Sequence, residues 1–254
     1  MRFQEKKVLV TGAGHGIGRA IARAFIGEGA LVAINDIIPD RVAVVVEKLG
    51  SHCCGVAGDI SDTEEARSVV SRAAGELGGM DIVVSNAGLY PSHAFLEMEL
   101  NDWDRVMAVN VRGTFLICQA AAQQMVKNKQ AGVIVTISSG SARFARIGSA
   151  HYCASKAAIV MLTRVMALEL APYRIRVNSV SPGIIDVPGG QPLSEAYKQA
   201  MTLMVPWGRL GRPEDVANLV LLVSDPAAGY MTGQVIPVDG GLSSGRYGIP
   251  VSDE

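Results

Sequence analysis

Short apolar runs alternate with longer stretches of helical periodicity from one end of the chain to the other. Val8-Leu9-Val10, Leu31-Val32-Ala33-Ile34, Ile82-Val83-Val84 and Val133-Ile134-Val135 are unbroken by polar residues. That is the pattern of strands covered on both faces, as in a parallel sheet, rather than of half-solvated ones. Strands are predicted at 7–11, 31–35, 53–57, 81–85, 132–138, 175–181 and 234–238. Helices are predicted at about 16–28, 40–49, 62–77, 101–128, 152–171 and 213–224. Short connections closed by Gly, Asp or Pro make these successive right-handed strand–helix–strand crossovers. The predicted fold class is therefore α/β: a doubly wound, mostly parallel seven-stranded sheet with helices on both faces. A single domain would span residues 1–254. One stretch, 186–207, breaks the alternation, being rich in Pro and Gly and then weakly helical. It follows a strand C-terminus, where open α/β sheets bind ligands, so a small substrate lid is expected there. The alternative is a plain surface excursion.

The first strand–helix junction carries the most informative residues. Thr11-Gly12-Ala13-Gly14-His15-Gly16-Ile17-Gly18 is a turn that residues without a Cβ take easily, between a strand and a helix. Free backbone N–H groups and the positive end of the helix dipole favour a pyrophosphate at that point. Asp36 lies eighteen residues beyond Gly18, at the end of the next strand. Its carboxylate can accept hydrogen bonds from a ribose 2′-hydroxyl and would repel a 2′-phosphate, so the expected cofactor is NAD rather than NADP.

Bulk properties narrow the partners. A formal net charge of −1 and a pI of about 6.4, with Lys and Arg scattered, argue against nucleic acid or an anionic membrane as the main partner. No apolar run is long enough for a membrane span, and Met1–Lys7 lacks the apolar centre of a secretory signal, so a cytoplasmic location is expected. Cys53, Cys54, Cys118 and Cys153 form no Cys-x-x-Cys pair, and His15, His52, His93 and His151 share no ligand spacing. Reduced thiols and no structural metal are expected.

Tyr152 and Lys156 stand four apart at the start of a strong helix and so project from one face. Ser138, Ser139 and Ser141 follow an apolar strand at its C-terminal end. An ammonium close to a phenol stabilises the phenolate and pulls its pKa from about 10 toward working pH. Such a tyrosine can take a proton from an alcohol, or give one to a ketone, while hydride moves to or from nicotinamide. A neighbouring serine hydroxyl can hold the substrate oxygen.

Taken together these motifs resemble the short-chain dehydrogenase/reductase family over nearly the whole chain. Thr11–Gly18, with Gly12, His15, Gly16, Ile17 and Gly18, is similar to the family's cofactor turn. Asn86-Ala87-Gly88 resembles its Asn-Ala-Gly segment, and Asn110 the helix asparagine that supports a water leading to the lysine. Ser139, thirteen residues before Tyr152, falls at the usual interval for the catalytic serine, and Tyr152-Cys153-Ala154-Ser155-Lys156 matches Tyr-x-x-x-Lys. The resemblance implies that Asp59 and Ile60 meet the adenine ring through a carboxylate and a backbone N–H. It also implies that Pro182, Gly183 and Ile185 approach the nicotinamide carboxamide, and that Tyr152 and Lys156 hold its ribose. Where members often have threonine, five residues after that proline, this chain has Val187, so that hydrogen bond is lost or moves to the Ile185 backbone. Members favouring NADP often carry Arg or Lys at the position of His15, which agrees with Asp36.

The resemblance implies an oxidoreductase acting on a small-molecule substrate, expected to be a small polar secondary alcohol: a sugar, polyol or hydroxy acid, with cyclic alcohols also in range. Tyr90, Ser139, Arg143, Arg146, Tyr152 and Trp207 are candidate substrate residues, with His93 a further wall residue. Arg143 and Arg146 stand either as holders of a carboxylate or hydroxyls or as solvated loop arginines. Relatives of this kind are usually homotetramers, less often dimers, and the apolar helices at 101–128 and 152–171 suit such an assembly. The tail from Leu242 to Glu254 either reaches a neighbouring subunit or frays. Two other readings remain: a ketoacyl-thioester reductase working with an acyl carrier, against which Asp36 and the mild pI count, and a dinucleotide-binding regulator without turnover. A serine hydrolase is disfavoured because no Gly-x-Ser-x-Gly elbow occurs.

Overall fold

The computed structural model describes residues 1–187 and 194–245. The strands are β1 (Lys7–Val10), β2 (Leu31–Ile34), β3 (Cys53–Gly55), β4 (Ile82–Ser85), β5 (Gly132–Ile137), β6 (Ile175–Pro182) and β7 (Val235–Val238). They form one sheet in the order β3-β2-β1-β4-β5-β6-β7, with every pairing parallel. The order reverses between β1 and β4, the switch point at which doubly wound sheets open a crevice for ligands. The α-helices among the described residues are α1 (Gly16–Gly27), α2 (Pro39–Leu49), α3 (Thr63–Leu77), α4 (Leu100–Met107), α5 (Thr114–Lys127), α6 (Ala150–Leu170), α7 (Glu195–Met204) and α8 (Pro213–Ser224).

Alternation along the strands sends side chains to two cores. On β1, Val8 and Val10 face one layer with Ile21 and Phe25 of α1 and Val216 and Val220 of α8. Leu9, between them, joins Val69 of α3, Ile117 and Met125 of α5 and Ala167 of α6 on the other side. Both faces are thus dry, which is why the strands read as continuous apolar runs.

Two departures from the sequence expectation matter for the site. The helix expected over 101–128 is interrupted: α4 ends at Met107, a π-helical turn covers Ala108–Gly113, and α5 resumes at Thr114. The segment expected to be weakly helical contains a regular helix, α7, capped by the Ser194 hydroxyl, which accepts from the Tyr197 N–H at 3.2 Å. Of the expected lid, residues 188–193 lie outside the described residues, as do residues 246–254 of the tail. Among the described residues, no helix is long and apolar enough to cross a membrane and no cluster of ligating side chains could hold a metal ion.

Candidate active site

The glycines of the first turn are there for space. A Cβ on Gly18 would lie 2.3 Å from the Gly12 carbonyl oxygen, and one on Gly14 would lie 2.6 Å from an Asp36 carboxylate oxygen. Gly12 and Gly16 also take φ of 62° and 55°, where a side chain is strained. Helix α1 then begins with no side-chain cap and no acidic residue in its first turn. Its leading N–H groups are left pointing into an open cradle, as an anionic pyrophosphate requires. The residues present therefore fit a dinucleotide.

Asp36 closes this cradle. It is buried; one carboxylate oxygen accepts from the Gly14 N–H and the other from the Ile38 N–H, both at 3.1 Å. Burial pushes its pKa up, but the His15 imidazole and these two N–H groups outweigh that and hold it below the usual carboxylate value. His15 Nδ1 stands 3.9 Å from the carboxylate, and the ring is half exposed. Asp59 accepts from the Ser61 N–H and hydroxyl, both at 2.8 Å. Ile60 buries its side chain against Gly113 and leaves its own N–H without a protein partner among the described residues.

Asn86, Ala87 and Gly88 leave β4 and are tied to β1 by Thr11. The Thr11 hydroxyl accepts from the N–H groups of Asn86, at 3.0 Å, and Ala87, at 3.2 Å. The Asn86 amide donates in return to the carbonyls of Thr11 and Gly12. Sequence reasoning did not single out Thr11; its place at the end of β1, facing the Asn-Ala-Gly segment across the sheet, was the available signal.

Asn110 sits inside the π-helical turn and is fully buried. Its Oδ1 accepts from the Leu89 N–H at 2.7 Å, and its Nδ2 donates to the Leu89 carbonyl at 2.9 Å and to the Ser155 hydroxyl at 3.0 Å. The irregular turn thus turns one amide inward to clamp the segment after Gly88 onto α6. π-Turns inside α-helices recur at functional positions for this reason. A Cβ on Gly88 would fall 3.2 Å from Asn110 Oδ1 and 3.6 Å from Lys156 Nζ, which shows how closely the three meet.

Lys156 is buried, and its ammonium donates to the Ile137 carbonyl at the end of β5 at 2.8 Å, lying 5.7 Å from the Tyr152 ring centre. Burial without a carboxylate partner lowers its pKa to about 8. The Tyr152 phenol behaves differently from the sequence expectation: burial raises it, while the Ser139 hydroxyl and the Arg146 charge pull the other way. Burial is the largest influence on the phenol, with the Lys156 ammonium donating to the Ile137 carbonyl. Ser139 follows β5, is part-buried, and its hydroxyl accepts from the Ser141 N–H at 3.1 Å.

Pro182 ends β6, and Gly183 donates its N–H to Val238 and packs on Asp239 with no room for a Cβ. Ile185 pairs with Gly211 in an isolated bridge that uses the Ile184 carbonyl and the Asp186 N–H. The Ile185 N–H itself makes no hydrogen bond among the described residues and stays available. The Val187 side chain lies against Gly16. Tyr90 stacks edge-on against Tyr152 at 6.5 Å, and His93 against His151 at 5.9 Å. Arg143 and Arg146 are exposed on the loop between Ser139 and Tyr152, and Trp207 is exposed beside the Asp239–Gly241 turn, its N–H on the Gly240 carbonyl. The structure thus brings Gly88, Asn110, Lys156, Tyr152 and Tyr90 together, and Gly14 against Asp36, while Arg143 and Trp207 make no side-chain hydrogen bond or ion pair with either group among the described residues.

Comparison with known proteins agrees. The model of the family described as Enoyl-(Acyl carrier protein) reductase matches residues 12–243. The chain is 39% identical to the (3R)-3-hydroxyacyl-CoA dehydrogenase of Homo sapiens, over 95% of this chain and 97% of that one. It is 40% identical to the L-rhamnose 1-dehydrogenase (NAD(P)(+)) of a Sphingomonas species, over 94% of this chain and 97% of that one. A short-chain type dehydrogenase/reductase from Mycobacterium marinum superposes with a TM-score of 0.90 at 40% identity, covering 95% of this chain and 96% of that one. With these motifs, this sheet and these relatives, the chain belongs to the short-chain dehydrogenase/reductase family, oxidoreductases that act on CH–OH groups with nicotinamide dinucleotides.

Proposed function

We propose that the protein oxidises a secondary alcohol with NAD, using Tyr152 as the general base. The observation that carries this reading is the meeting of Tyr152, Ser139 and Lys156 at the ends of β5 and α6, beside a glycine cradle closed by Asp36. Ser139 holds the substrate oxygen. Tyr152, as phenolate, accepts the hydroxyl proton, so the carbinol carbon can release hydride and become a ketone. When bound, the nicotinamide ring supplies the hydride acceptor in this direction and the donor in reverse. Lys156 and Tyr152 hold its ribose, and Lys156 favours the phenolate once the site is filled. Asn110 keeps the Leu89 segment in place and supports the water that leads to Lys156. Asp36 offers its carboxylate to a ribose hydroxyl and repels a 2′-phosphate, which favours NAD over NADP. Gly12, His15, Gly16, Ile17 and Gly18 carry the pyrophosphate, Asp59 and Ile60 the adenine, Asn86 to Gly88 the neighbouring ribose, and Pro182, Gly183 and Ile185 the carboxamide.

The segment 186–207 works as the substrate lid of the one domain, with α7 tied back through Lys198 to Asp186 at 3.0 Å. The protein works in the cytoplasm as a homotetramer. Its shared surface includes the exposed apolar residues Phe115, Met161, Val165 and Leu168 and a groove of about 820 Å³ between α4, α5 and α6. Purified protein should form NADH from members of an alcohol panel with NAD and only slowly form NADPH with NADP. Preference for NADP would remove the role given to Asp36. A second reading, reduction of a ketoacyl thioester, is favoured by the acyl substrates in the names of the family model and the human relative. Faster NADPH consumption with an acetoacetyl thioester than with any free ketone would select it.

A further inference from the structure

Tyr152 sits in the first turn of α6, and that turn is held by a side chain other than its cap residue. Ser149 occupies the capping position, yet its backbone (φ −135°, ψ 34°) is not the extended form from which a serine reaches the helix N–H groups. Its hydroxyl is buried and has no hydrogen-bond partner among the described residues. The Cys153 N–H finds a helical acceptor, the Ser149 carbonyl, at 2.8 Å. The Tyr152 N–H, one residue earlier, is taken by the imidazole of His151, whose Nδ1 lies 2.8 Å away. His151 thus satisfies a donor that the helix start would otherwise leave free.

That bond fixes the state of the ring. A nitrogen accepts an N–H only when it carries no proton, so the ring is neutral and its proton is on Nε2. His151 is fully buried, and its Nε2 has no partner among the described residues. A buried donor left unpaired costs free energy that an apolar ring would avoid, so packing alone does not account for a histidine here.

His93, from the segment after β4, lies edge-on to His151 at 5.9 Å, and Asp102 of α4 stands 3.7 Å from His93 Nδ1. Burial holds the His151 imidazole below its ordinary pKa; His93 adds to this and Asp102 opposes it. The other charged residues on the elements around this turn are engaged or directed elsewhere. Asp104 and Arg105 of α4 line the groove between α4, α5 and α6, and Arg112 of the π-helical turn donates to the Ser61 carbonyl. Lys156, one turn along α6, donates to the Ile137 carbonyl, while Arg143 and Arg146 of the preceding loop are exposed. A proton on Nδ1 would remove the acceptor and place a cation at the positive end of the helix dipole.

We propose that His151 is a positioning residue for Tyr152: its neutral imidazole holds the first turn of α6, and protonation of Nδ1 releases that turn and misplaces the phenol. The inference rests on the reading of Tyr152 as the general acid–base group of a dehydrogenase and adds a second titrating residue to it.

The test is ketone reduction with NADH across pH, using the ketone formed from the best alcohol of the panel. In this direction the phenol acts in its protonated form, so acid by itself gives the Tyr152 step no reason to slow. In the parent, kcat should nevertheless decline in acid, below the ordinary histidine value because the folded pKa is lowered. His151→Asn carries a non-titrating Oδ1 where Nδ1 stands; it should keep most of the activity at neutral pH and lose the acid decline. His151→Phe fills the space without an acceptor, and its kcat should be about tenfold or more lower at every pH, with KM little changed, as slight misplacement of a reacting group implies. His93→Phe should move the decline to higher pH, because a neighbouring charge no longer opposes the proton. Amide exchange reads the same bond without turnover. Protection of the Tyr152 N–H, corrected for the intrinsic effect of pH, should fall in acid in the parent, persist in His151→Asn and be lost in His151→Phe. NADH titration reports whether each variant holds its fold. A parent-like kcat in His151→Phe, an acid decline that survives in His151→Asn, or Tyr152 protection that ignores residue 151 would overturn the inference and leave the dehydrogenase reading standing. Absence of turnover with every ketone, by protein that binds NADH, would overturn the dehydrogenase reading, and the exchange pattern would then decide by itself whether His151 holds the turn.

Discussion

Lys156→Met should make the ligand-free protein more stable at neutral pH while disabling it. The ammonium of Lys156 is buried, has no carboxylate partner, and makes one hydrogen bond, to the Ile137 carbonyl at 2.8 Å. A pKa lowered from 10.5 to about 8 means that folding withholds about 3 kcal/mol from the charged form. Methionine has a similar length and no charge to desolvate. Loss of the hydrogen bond takes back about 1 kcal/mol, leaving a net gain of about 2 kcal/mol, or roughly 6 °C in Tm for a chain of this size. The sign fixes the pH window. Below about 8 the lysine is charged in both folded and unfolded states and the cost is complete; between about 8 and 10.5 only the unfolded chain holds the proton, and the cost fades. The advantage of the variant should therefore be constant below about pH 8 and shrink as pH rises toward 10.5. Thermal unfolding of both proteins without nucleotide, at one protein concentration and at several pH values, measures this directly. A variant less stable than the parent at pH 7, or an advantage that does not change between pH 7 and 10, would refute the reasoning.

Asn110→Ala should cost about 2 kcal/mol by removing three hydrogen bonds, and amide exchange should show the Leu89 N–H losing protection before any core strand does. Gly18→Ala places a Cβ 2.3 Å from the Gly12 carbonyl, so NADH affinity should fall by about tenfold or more in a binding titration, with a lowered Tm. Asp36→Ala should raise the NADP-to-NAD ratio of kcat/KM by about tenfold. Because the Asp36 carboxyl is held below its usual value in the folded state, its stabilising effect is present at neutral pH and lost as pH falls through that lowered value. The stability gap between parent and Asp36→Ala should close in acid.

Much of this architecture is legible in the sequence because each strand is buried on both faces and so appears as an uninterrupted apolar run. All seven observed strands lie within or one residue from the predicted spans, and α1, α3 and α8 match to within a residue or so. The π-helical turn at Ala108–Gly113 is not legible, because nothing in the local periodicity encodes it. There Asn110 reaches Leu89 and Ser155, contacts that exist only once the segment after β4 and helix α6 have both come to this turn. Helix α7 reads weakly because it buries no side chain fully and depends on its Ser194 cap and the Lys198–Asp186 tie. At the site, the Gly12–Gly18 turn, Asp36 and the Tyr152–Lys156 pair stand out in the sequence by their spacing, whereas Ser139 is picked out from its neighbours only by the family resemblance. The partners that orient them, the Thr11 hydroxyl and the carbonyls of Leu89 and Ile137, are ordinary residues or backbone atoms that carry no signature of their own. The same limit explains the phenol. The ammonium was expected to lower Tyr152, but burial of the phenol, which no spacing reveals, dominates and raises it.

The most direct test of the central claim is hydride transfer by Tyr152→Phe. The substitution removes the proton acceptor and keeps the ring that stacks on Tyr90. The predicted result is NADH binding close to that of the parent with kcat for alcohol oxidation down by about a thousandfold, within the range general acid–base groups supply. A Tyr152→Phe protein that oxidises the same alcohol at a rate near the parent's would contradict the account.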